Sequence, residues 1–203
     1  MNGDPDRYLV AAREGRCQHG EKRSRFIAIA AHTPTEEDAQ ALLQRERRAY
    51  HDAAHHCFAW HIGDSERTHD DGEPAGTAGR PILDGIHGAG LHEVTVVVTR
   101  YFGGVKLGTG GLARAYGEAA RAALAEAGVQ ERFRTGRVIV SFEHGDTSAV
   151  HHVAGRYGAH QTGAAYGDRV ALQFELNASR VATFRTAVIE ATHGRAEVHD
   201  AET

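Results

Sequence analysis

Two glycine-rich segments flank one strongly apolar segment, and this arrangement constrains the fold more than any other feature of the sequence. The first is DDGEPAGTAGRP at residues 70–81, and the second is GGVKLGTGG at residues 103–111. Between them lies Glu93–Phe102, which is rich in valine. A segment that is apolar on both faces predicts a strand inside a covered sheet. Because glycine tolerates positive φ and close backbone approach, the two segments predict loops of defined shape beside that strand.

Charged residues at the edges of both segments mark them as a candidate functional surface. Asp70, Asp71 and Glu73 belong to the first segment, and Arg100 and Lys106 lie beside or within the second. Loops held by a rigid framework frequently carry binding or catalytic residues. We therefore predict that the two loops lie on the same side of one domain and form a recess of mixed charge.

Length and composition are those of an ordinary globular chain. The 203 residues are 41% hydrophobic and 25% charged, which is enough for one large core or two small ones. No stretch approaches the roughly 20 apolar residues of a membrane span, and the start of the sequence lacks the basic and then apolar order of a signal peptide. Cys17 and Cys57 are too few for a disulfide framework. These features predict a cytoplasmic protein without membrane association.

The charge distribution is uneven along the chain. The net charge of −4 argues against non-specific coating of nucleic acid. Residues 100–137 nevertheless contain seven basic and three acidic side chains, whereas the residues from Val138 onward contain five basic and eight acidic ones. A local basic surface on an acidic protein is compatible with contact to RNA or to a ribosome. Nothing in the sequence indicates DNA specificity.

The first third of the chain predicts strands followed by a helix. Strands are expected at residues 7–12 and 24–31, joined by a polar connection. Thr33 followed by Pro34 is typical of a helix start, with the threonine as N-cap. Residues 55–62 alternate and predict a strand that directs one apolar face to the core, consisting of Phe58, Trp60 and Ile62.

The rest of the chain predicts a loop, two helices, a linker and a second domain. Residues 63–69 are polar and predict a loop. One helix is expected to begin at Thr77 or Gly79, and a second follows the second glycine-rich segment and ends at Gly128. QERFRTGR at residues 130–137 predicts a charged linker that contains a domain boundary. The remaining residues predict the order strand, helix, strand, strand, helix, strand, which is that of the ferredoxin-like unit.

Candidate metal ligands occur on the strand at residues 55–62. His55, Cys57 and His61 share one face, and imidazole and thiolate are ligands that zinc prefers. In an extended strand, however, the first and last of these lie roughly 20 Å apart. We therefore predict no metal site here.

The second glycine-rich segment contains GTGGLA, which matches a loose dinucleotide fingerprint. The match fails in context, because Gly103–Leu107 separates it from the preceding strand. A phosphate contact at the following helix start, such as to an RNA backbone, is the better interpretation. Asp70, Asp71 and Glu73 are acidic enough to hold magnesium, but a turn in which they bond the loop backbone is favoured. No cofactor and no catalytic residue are predicted.

Four motifs carry a resemblance to a known family. They are SRF at residues 24–26, AAHHC at 53–57, DDGEPAGTAGRP at 70–81 and RYFGGVKLGTGGL at 100–112. With these motifs the sequence resembles the IMPACT family, also called the YigZ family, over essentially its full length. The last two motifs are long and specific.

The resemblance implies an α+β protein of two domains. Residues 1–132 are expected to form an IMPACT N-terminal domain like ribosomal protein S5 domain 2, and residues 137–203 a ferredoxin-like βαββαβ domain. Both are similar in fold to the last two domains of elongation factor G. Eukaryotic members regulate translation through a kinase-activating partner, but their other domain differs, so that contact is not transferred to this chain.

Three functions follow as hypotheses. The first is a non-catalytic cytoplasmic protein that contacts RNA or the ribosome, or a protein partner in translation control, and regulates translation. The second is a phosphate-handling or metal-dependent hydrolase in which the acidic residues hold a cation, and the third is a protein-only scaffold. Since the family implies no catalytic residue set, only its motif positions are transferred, as a candidate interaction surface. These are His55, Asp70, Asp71, Gly72, Glu73, Gly76, Thr77, Gly79, Arg100, Tyr101, Phe102, Gly103, Gly104, Lys106, Gly108, Thr109, Gly110, Gly111 and Arg114.

Overall fold

A computed structural model describes residues 4–201, and the chain divides into two compact units. The first unit is Tyr8–Arg132, and the second combines the segment that ends at Arg7 with the segment that starts at Phe133. Both units combine helices with antiparallel sheets, so the predicted α+β class is confirmed. Within residues 4–201, the helices are all too short or too polar to cross a membrane.

The first unit is built on a five-stranded antiparallel sheet with the order β2-β3-β6-β4-β5. A separate two-stranded sheet contains β1 and β7. Strand β6 is the centre of the larger sheet, with only its last residue partly exposed, as the valine-rich sequence predicts. The strands are β1 Arg7–Ala11, β2 Gly15–Glu21, β3 Ser24–His32, β4 His55–Ile62, β5 Ser65–His69, β6 Val94–Tyr101 and β7 Val129–Phe133.

Helices cover both faces of the five-stranded sheet. Helices α2 (Gly79–Ala89) and α3 (Thr109–Ala127) contribute to the core on one face, and α1 (Glu36–Ala49) contributes to the core on the other. The alanines of α3 bring its backbone close to the sheet. This arrangement buries β6 on both sides. Both glycine-rich segments lie at the same end of β6, beside Arg100.

Strand β4 is buried on both faces, which corrects the prediction of a single core face. Phe58, Trp60 and Ile62 pack against α1, as one part of the core. Cys57 and Ala59 pack in the larger cluster with α2 and α3. Trp60, the single tryptophan of the chain, stacks with Phe58 at a ring distance of 5.2 Å. The alternating pattern predicted the strand correctly, but small residues on the second face concealed its burial.

Helix α1 begins two residues later than predicted. Its N-cap is Thr35, whose hydroxyl accepts a hydrogen bond from the backbone N–H of Asp38, while the Asp38 carboxylate accepts the N–H of Thr35. This reciprocal pair is a capping box. Thr33 is not the cap, because its backbone N–H donates to Glu93 and its hydroxyl bonds to Thr95. The chain therefore stays extended through Thr33.

Two segments predicted as connections are strands at the edges of the sheet. The polar connection before β3 contains β2, and the predicted loop at residues 63–69 contains β5, which pairs with β4. All five residues of β5 are exposed. An edge strand needs backbone hydrogen bonds to one neighbour but few apolar side chains, so the sequence pattern gave no indication of either strand.

The second unit has the predicted ferredoxin-like order, with the sheet order β11-β8-β10-β9. Its core consists of alternating residues of β8 and β10 packed against both helices. The elements are β8 Thr135–Phe142, α4 Thr147–Tyr157, β9 His160–Tyr166, β10 Val170–Asn177, α5 Val181–Ala191 and β11 Glu197–Asp200. The predicted linker at residues 130–137 is wrong, because these residues lie mostly in β7 and β8.

The start of the described chain belongs with the second unit. The Asp6 carboxylate accepts the backbone N–H of Ser179, and the Arg134 backbone N–H donates to the Asp6 carbonyl. The Asn177 amide donates to the Asp4 carboxylate at 3.0 Å. The division between the units falls between Arg132 and Phe133. The domain bounds 1–132 and 137–203 remain predictions.

Candidate functional site

The two glycine-rich segments meet at one recess in the first unit. We call residues 70–78 the acidic loop, residues 102–108 the glycine loop, and the space between them the loop recess. The loop recess has a volume of about 400 Å³. It is lined by His55, by Glu73 and Pro74 of the acidic loop, by Arg100 and Phe102 at the end of β6, and by Lys106–Thr109 with Leu112.

A buried ion pair forms part of the recess wall. Arg100 Nη1 donates to Glu73 Oε1 at 2.6 Å, and the two side chains are only 5% and 4% exposed. The Tyr116 hydroxyl donates to the same Glu73 oxygen at 2.8 Å, and Arg100 Nη2 donates to Ser24 Oγ at 3.2 Å. The local positive charge that the sequence assigned to Arg100 is therefore already paired inside the protein, and Arg100 is not a free surface cation.

Cys57 and Tyr116 extend this network into the core. The Cys57 thiol lies 3.0 Å from the Asp70 carbonyl and 3.3 Å from the Tyr116 hydroxyl. Burial raises the pKa of the Cys57 thiol and the pKa of the Tyr116 phenol well above their ordinary values. With its pKa raised in this way, the Cys57 thiol stays protonated. The thiolate is the reactive form of cysteine, so Cys57 has a structural role.

Asp70 organises the acidic loop and the start of α2. Its carboxylate accepts the backbone N–H groups of Gly76, Ala78 and Gly79 at 2.8–2.9 Å. Burial opposes the ionisation of Asp70, but the hydrogen bonds from Gly76, Gly79 and Ala78 outweigh burial and hold the pKa of this carboxyl below its ordinary value. Ala78, the N-cap of α2, has no side chain that can cap the helix, so Asp70 satisfies these donors instead.

Asp71 joins the acidic loop to β4. Its carboxylate accepts the backbone N–H of His56 at 2.7 Å and a hydrogen bond from Arg47 at 3.3 Å. His55 Nδ1 bonds to the Asp71 carbonyl at 2.8 Å. Asp70 bonds the loop backbone and the start of α2, as the turn interpretation predicts. Asp71 and Glu73 depart from that prediction, because Asp71 accepts from β4 and Arg47 and Glu73 accepts from the side chains of Arg100 and Tyr116. In the described part of the chain, no group of three His, Cys, Asp or Glu side chains has a geometry that holds a metal ion.

The glycines of the two segments serve different purposes. Four of them have left-handed backbones, with φ of +86° at Gly72, +75° at Gly76, +83° at Gly104 and +72° at Gly108. At Gly103 the reason is space, since an added Cβ would lie 2.1 Å from the Arg23 carbonyl carbon.

The remaining glycines of the segments are less uniform. Gly79 is also tight, because an added Cβ would lie 2.7 Å from the backbone nitrogen of His69. An added Cβ at Gly111 would lie 3.2 Å from Leu107 Cβ, which is moderately tight, whereas one at Gly110 would face open space. Of the candidate glycines, Gly110 is therefore the one that the described structure does not require.

The N-terminus of α3 opens at the loop recess. Its N-cap, Gly108, has no side chain, and no side-chain hydrogen bond caps the helix. Thr109 and Lys106 beside it are exposed. Backbone N–H groups at a helix start, together with the helix dipole, favour a negative charge. This end of the recess is therefore suited to an anion.

Seven of the nineteen candidate residues line the loop recess, and Tyr101, Thr77 and Arg114 are among the twelve that do not. Tyr101 donates its hydroxyl to Asp52 at 2.6 Å. Thr77 is buried, with its hydroxyl bonded to the Pro74 carbonyl. Arg114 lines a separate depression.

Five residues outside the candidate surface contribute to the recess or to its polar network. Four of them lie within the family motifs, and the fifth, Tyr116, lies among the inward alanines of its helix. These residues are Ser24, Pro74, Leu107, Leu112 and Tyr116.

The fold and the loop recess define a two-domain α+β protein whose most elaborate polar structure lies between two glycine-rich loops. Residues 22–124 match the Impact N-terminal domain, and residues 140–195 match a domain of unknown function, DUF1949. The chain belongs to the IMPACT family, as its motifs predict.

Relatives and solved structures agree with this membership. The chain is 38% identical over 178 residues to IMPACT family member YigZ of Escherichia coli (strain K12), covering 85% of this chain and 87% of the relative. It is 53% identical over 106 residues to an IMPACT family member of Thermus thermophilus, covering 52% and 58%. The crystal structure of a hypothetical protein superposes with a TM-score of 0.70 at 35% identity, covering 97% and 98% of the two chains.

Proposed function

We propose that this protein binds RNA of the translation machinery in the cytoplasm through the loop recess, and that it regulates translation in this way without catalysing a reaction. The observation that carries the proposal is the uncapped N-terminus of α3 next to the exposed Lys106. Both favour phosphate, which is the group that RNA presents regardless of its sequence.

The charge balance of the recess supports an anionic ligand. Glu73 carries a negative charge, but it lies 2.6 Å from Arg100 and is 4% exposed, so the pair is close to neutral as seen from the recess. Lys106 and the helix dipole then remain as positive contributions. An anion entering the recess meets this excess although the net charge of the whole chain is −4.

The absence of a proposed reaction rests on the same contacts. Asp70, Asp71 and Glu73 accept hydrogen bonds from backbone, arginine and tyrosine donors, which hold the loops in place. Cys57 is kept in its protonated form by burial. These groups support the shape of the recess, and a binding role uses that shape directly. The family resemblance implies that both domains are similar in fold to the last two domains of elongation factor G, and this implied similarity favours ribosomal RNA as the ligand.

The test is co-sedimentation of the full chain with purified ribosomes over a series of salt concentrations. We expect Lys106→Glu to weaken binding and to reduce the slope of log K against log salt by about 0.7–0.9 for each phosphate that the variant no longer neutralises. Arg48→Glu is the matched control, because Arg48 is an exposed residue of α1, on the other face of the sheet. It makes the same change in net charge away from the recess.

Affinity purification with and without nuclease separates RNA from protein partners. Loss of the ribosomal material on nuclease treatment supports the proposal. Equal weakening by Lys106→Glu and Arg48→Glu would contradict a role for the recess. A stoichiometric protein partner that survives nuclease, with no ribosome binding at low salt, would overturn the RNA proposal in favour of a protein scaffold.

A further inference from the structure

Arg100 carries a buried hydrogen-bond donor that the protein leaves without an acceptor. The residue is 4% exposed and lines the loop recess. Its two terminal nitrogens donate to Glu73 and Ser24. Among residues 4–201, Nε of Arg100 has no hydrogen-bond partner. An unpaired buried donor is costly, and this one belongs to a side chain of the recess wall.

The start of α3 provides a second set of unpaired donors at the same recess. The helix is 19 residues long and lacks a side-chain cap. Its N-cap, Gly108, adopts φ 72° and ψ 165°, a conformation that essentially only glycine tolerates. The special backbone places the helix start at the recess wall beside Lys106. The open start of α3 beside Lys106 favours an acceptor with negative charge, and the side chain with the unpaired donor, Arg100, lies in the wall of the same recess.

The recess also offers an aromatic surface. Phe102 is 52% exposed, although most large apolar side chains of the chain are buried. Its ring lies 5.4 Å from Cζ of Arg100. Pro74, Leu107 and Leu112 add further apolar surface. The volume of about 400 Å³ falls within the roughly 300–1,000 Å³ of small-ligand pockets. An exposed ring beside an arginine is suited to stacking with a planar base.

We infer that the loop recess binds one unpaired nucleotide of an RNA strand, with its phosphate at the N-terminus of α3 and its base against Phe102. The inference rests on the proposed function, since it specifies which part of an RNA the recess takes. A base inside a duplex is stacked and paired, and a protein ring cannot replace its neighbours. The recess therefore prefers single-stranded RNA over duplex RNA.

The base half is tested with three labelled RNAs of equal length, which are a single strand, a duplex and an abasic strand with the same phosphates. We expect the full chain to bind the single strand about tenfold or more tightly than the abasic strand, in line with base stacking on an aromatic side chain. Phe102→Ala removes this difference. Phe102→Leu also removes it while keeping an apolar side chain. Tyr166→Ala is the matched control, because Tyr166 is a 74% exposed aromatic residue of the second unit.

The phosphate half is tested with a matched pair at the exposed Thr109. Thr109→Asp places a carboxylate where the phosphate is expected, and we expect binding of both the single strand and the abasic strand to fall. Thr109→Asn changes the side chain to a similar size without charge, and we expect it to retain most of the binding. Equal binding by the two variants would overturn the placement of the phosphate.

The remaining outcomes separate this inference from the proposed function. If the wild-type chain binds none of the three RNAs at low salt, the proposed function and the inference are both overturned. If it binds all three equally and Phe102→Ala changes nothing, only the inference is overturned. Saturation by free uridine monophosphate at the same affinity as the strand would overturn the RNA assignment and indicate a free nucleotide as the ligand.

Discussion

Each unit of this protein contains an arginine–carboxylate pair, and the two pairs differ in how far they are buried. In the first unit, the side chains of Glu73 and Arg100 are 4% and 5% exposed. Glu73 also accepts from Tyr116, and Arg100 also donates to Ser24. In the second unit, the Asp146 side chain is 8% exposed, but its partner Arg195 is 46% exposed. The first pair is cut off from water on both sides, whereas the second has one partner in solvent.

The difference in burial indicates that the first pair positions a loop and does not add net stability. A buried ion pair contributes little net stability, because the desolvation of both charges offsets their attraction. What the first pair does is fix the acidic loop against the end of β6, where the loop recess lies. The core of the second unit is a plain apolar one between its sheet and two helices. The pair with both side chains cut off from water thus lies at the candidate site.

The largest expected effect comes from breaking the two pairs in turn. Glu73→Ala leaves the Arg100 charge buried without a partner, and we expect a loss of about 3–5 kcal/mol in the free energy of unfolding in urea. Asp146→Ala is expected to lose clearly less, because the Arg195 guanidinium is already half in water. The double variant Glu73→Leu with Arg100→Met should recover much of the loss. Equal losses for the two single variants would break the comparison.

The next effect compares two tight glycines, one in each unit. Gly103→Ala places a Cβ 2.1 Å from the Arg23 carbonyl carbon, which is backbone. Gly136→Ala places a Cβ 2.6 Å from Cγ2 of Val181, which is a side-chain methyl. We expect Gly103→Ala to cost about 1–3 kcal/mol or more in urea unfolding, since backbone must move. Gly136→Ala should cost less, and a reversed order would contradict the crowding argument.

The third prediction concerns the stability in acid that one carboxyl group contributes in each unit. The pKa of Asp70 is lowered because backbone hydrogen bonds outweigh the opposing effect of burial, and the pKa of Asp146 is lowered by its hydrogen bond to Arg195. A lowered folded-state pKa stabilises the fold above the unfolded value of about 3.9, and this contribution is lost as pH falls through the folded value. Asp70→Asn and Asp146→Asn should therefore both flatten the decline of stability in acid.

Salt tells the two acidic groups apart. The pair that contains the half-exposed Arg195 is screened by salt, whereas the backbone donors that surround Asp70 are fixed within the acidic loop. We expect high salt to reduce the effect of Asp146→Asn and to leave that of Asp70→Asn largely unchanged. The measurement is urea unfolding over a pH series at low and high salt. Equal salt sensitivity would indicate that Asp70 acts through charge alone.

The smallest effect concerns helix starts within the first unit. Helix α1 has a capping box and three acidic residues in its first turn, whereas α3 has neither a side-chain cap nor an acidic residue there. Thr109→Asp should therefore stabilise the unit by about 0.3–1 kcal/mol in urea unfolding through the helix dipole. Thr109→Asn is the uncharged control. If Thr109→Asp gains stability and binds RNA more weakly, the uncapped N-terminus of α3 lowers the stability of the unit and favours RNA binding.

The regular elements could be predicted from the sequence where apolar residues repeat. Strand β6 follows from a valine-rich run that is apolar on both faces. Helix α3 and the βαββαβ order of the second unit follow from periods of 3.6 or two residues. Strands β2 and β5 could not be found this way, because they lie at sheet edges where backbone pairing suffices. The start of α1 was misplaced since Thr33 and Thr35 are both good caps, and only the bond from Thr33 to Glu93 decides between them.

The sequence predicted where the candidate site lies, but it did not predict which side chains contact each other there. The glycines and the acidic run indicated two shaped loops, and these loops do meet at one recess. The burial of Arg100 was missed, because its partners Glu73 and Ser24 are distant in sequence and become its neighbours only in the folded protein. A charged side chain is by default expected at the surface, and only the tertiary contact overrides that expectation.

Trp60 gives the molecule an optical reporter that is confined to one of its halves. The indole lies between β4 and α1 in the first unit, and the second unit contains no tryptophan. Intrinsic fluorescence excited at the indole band therefore follows the melting of one unit, while far-ultraviolet circular dichroism follows both. The separation between the two melting curves measures directly how far the halves unfold as one cooperative system.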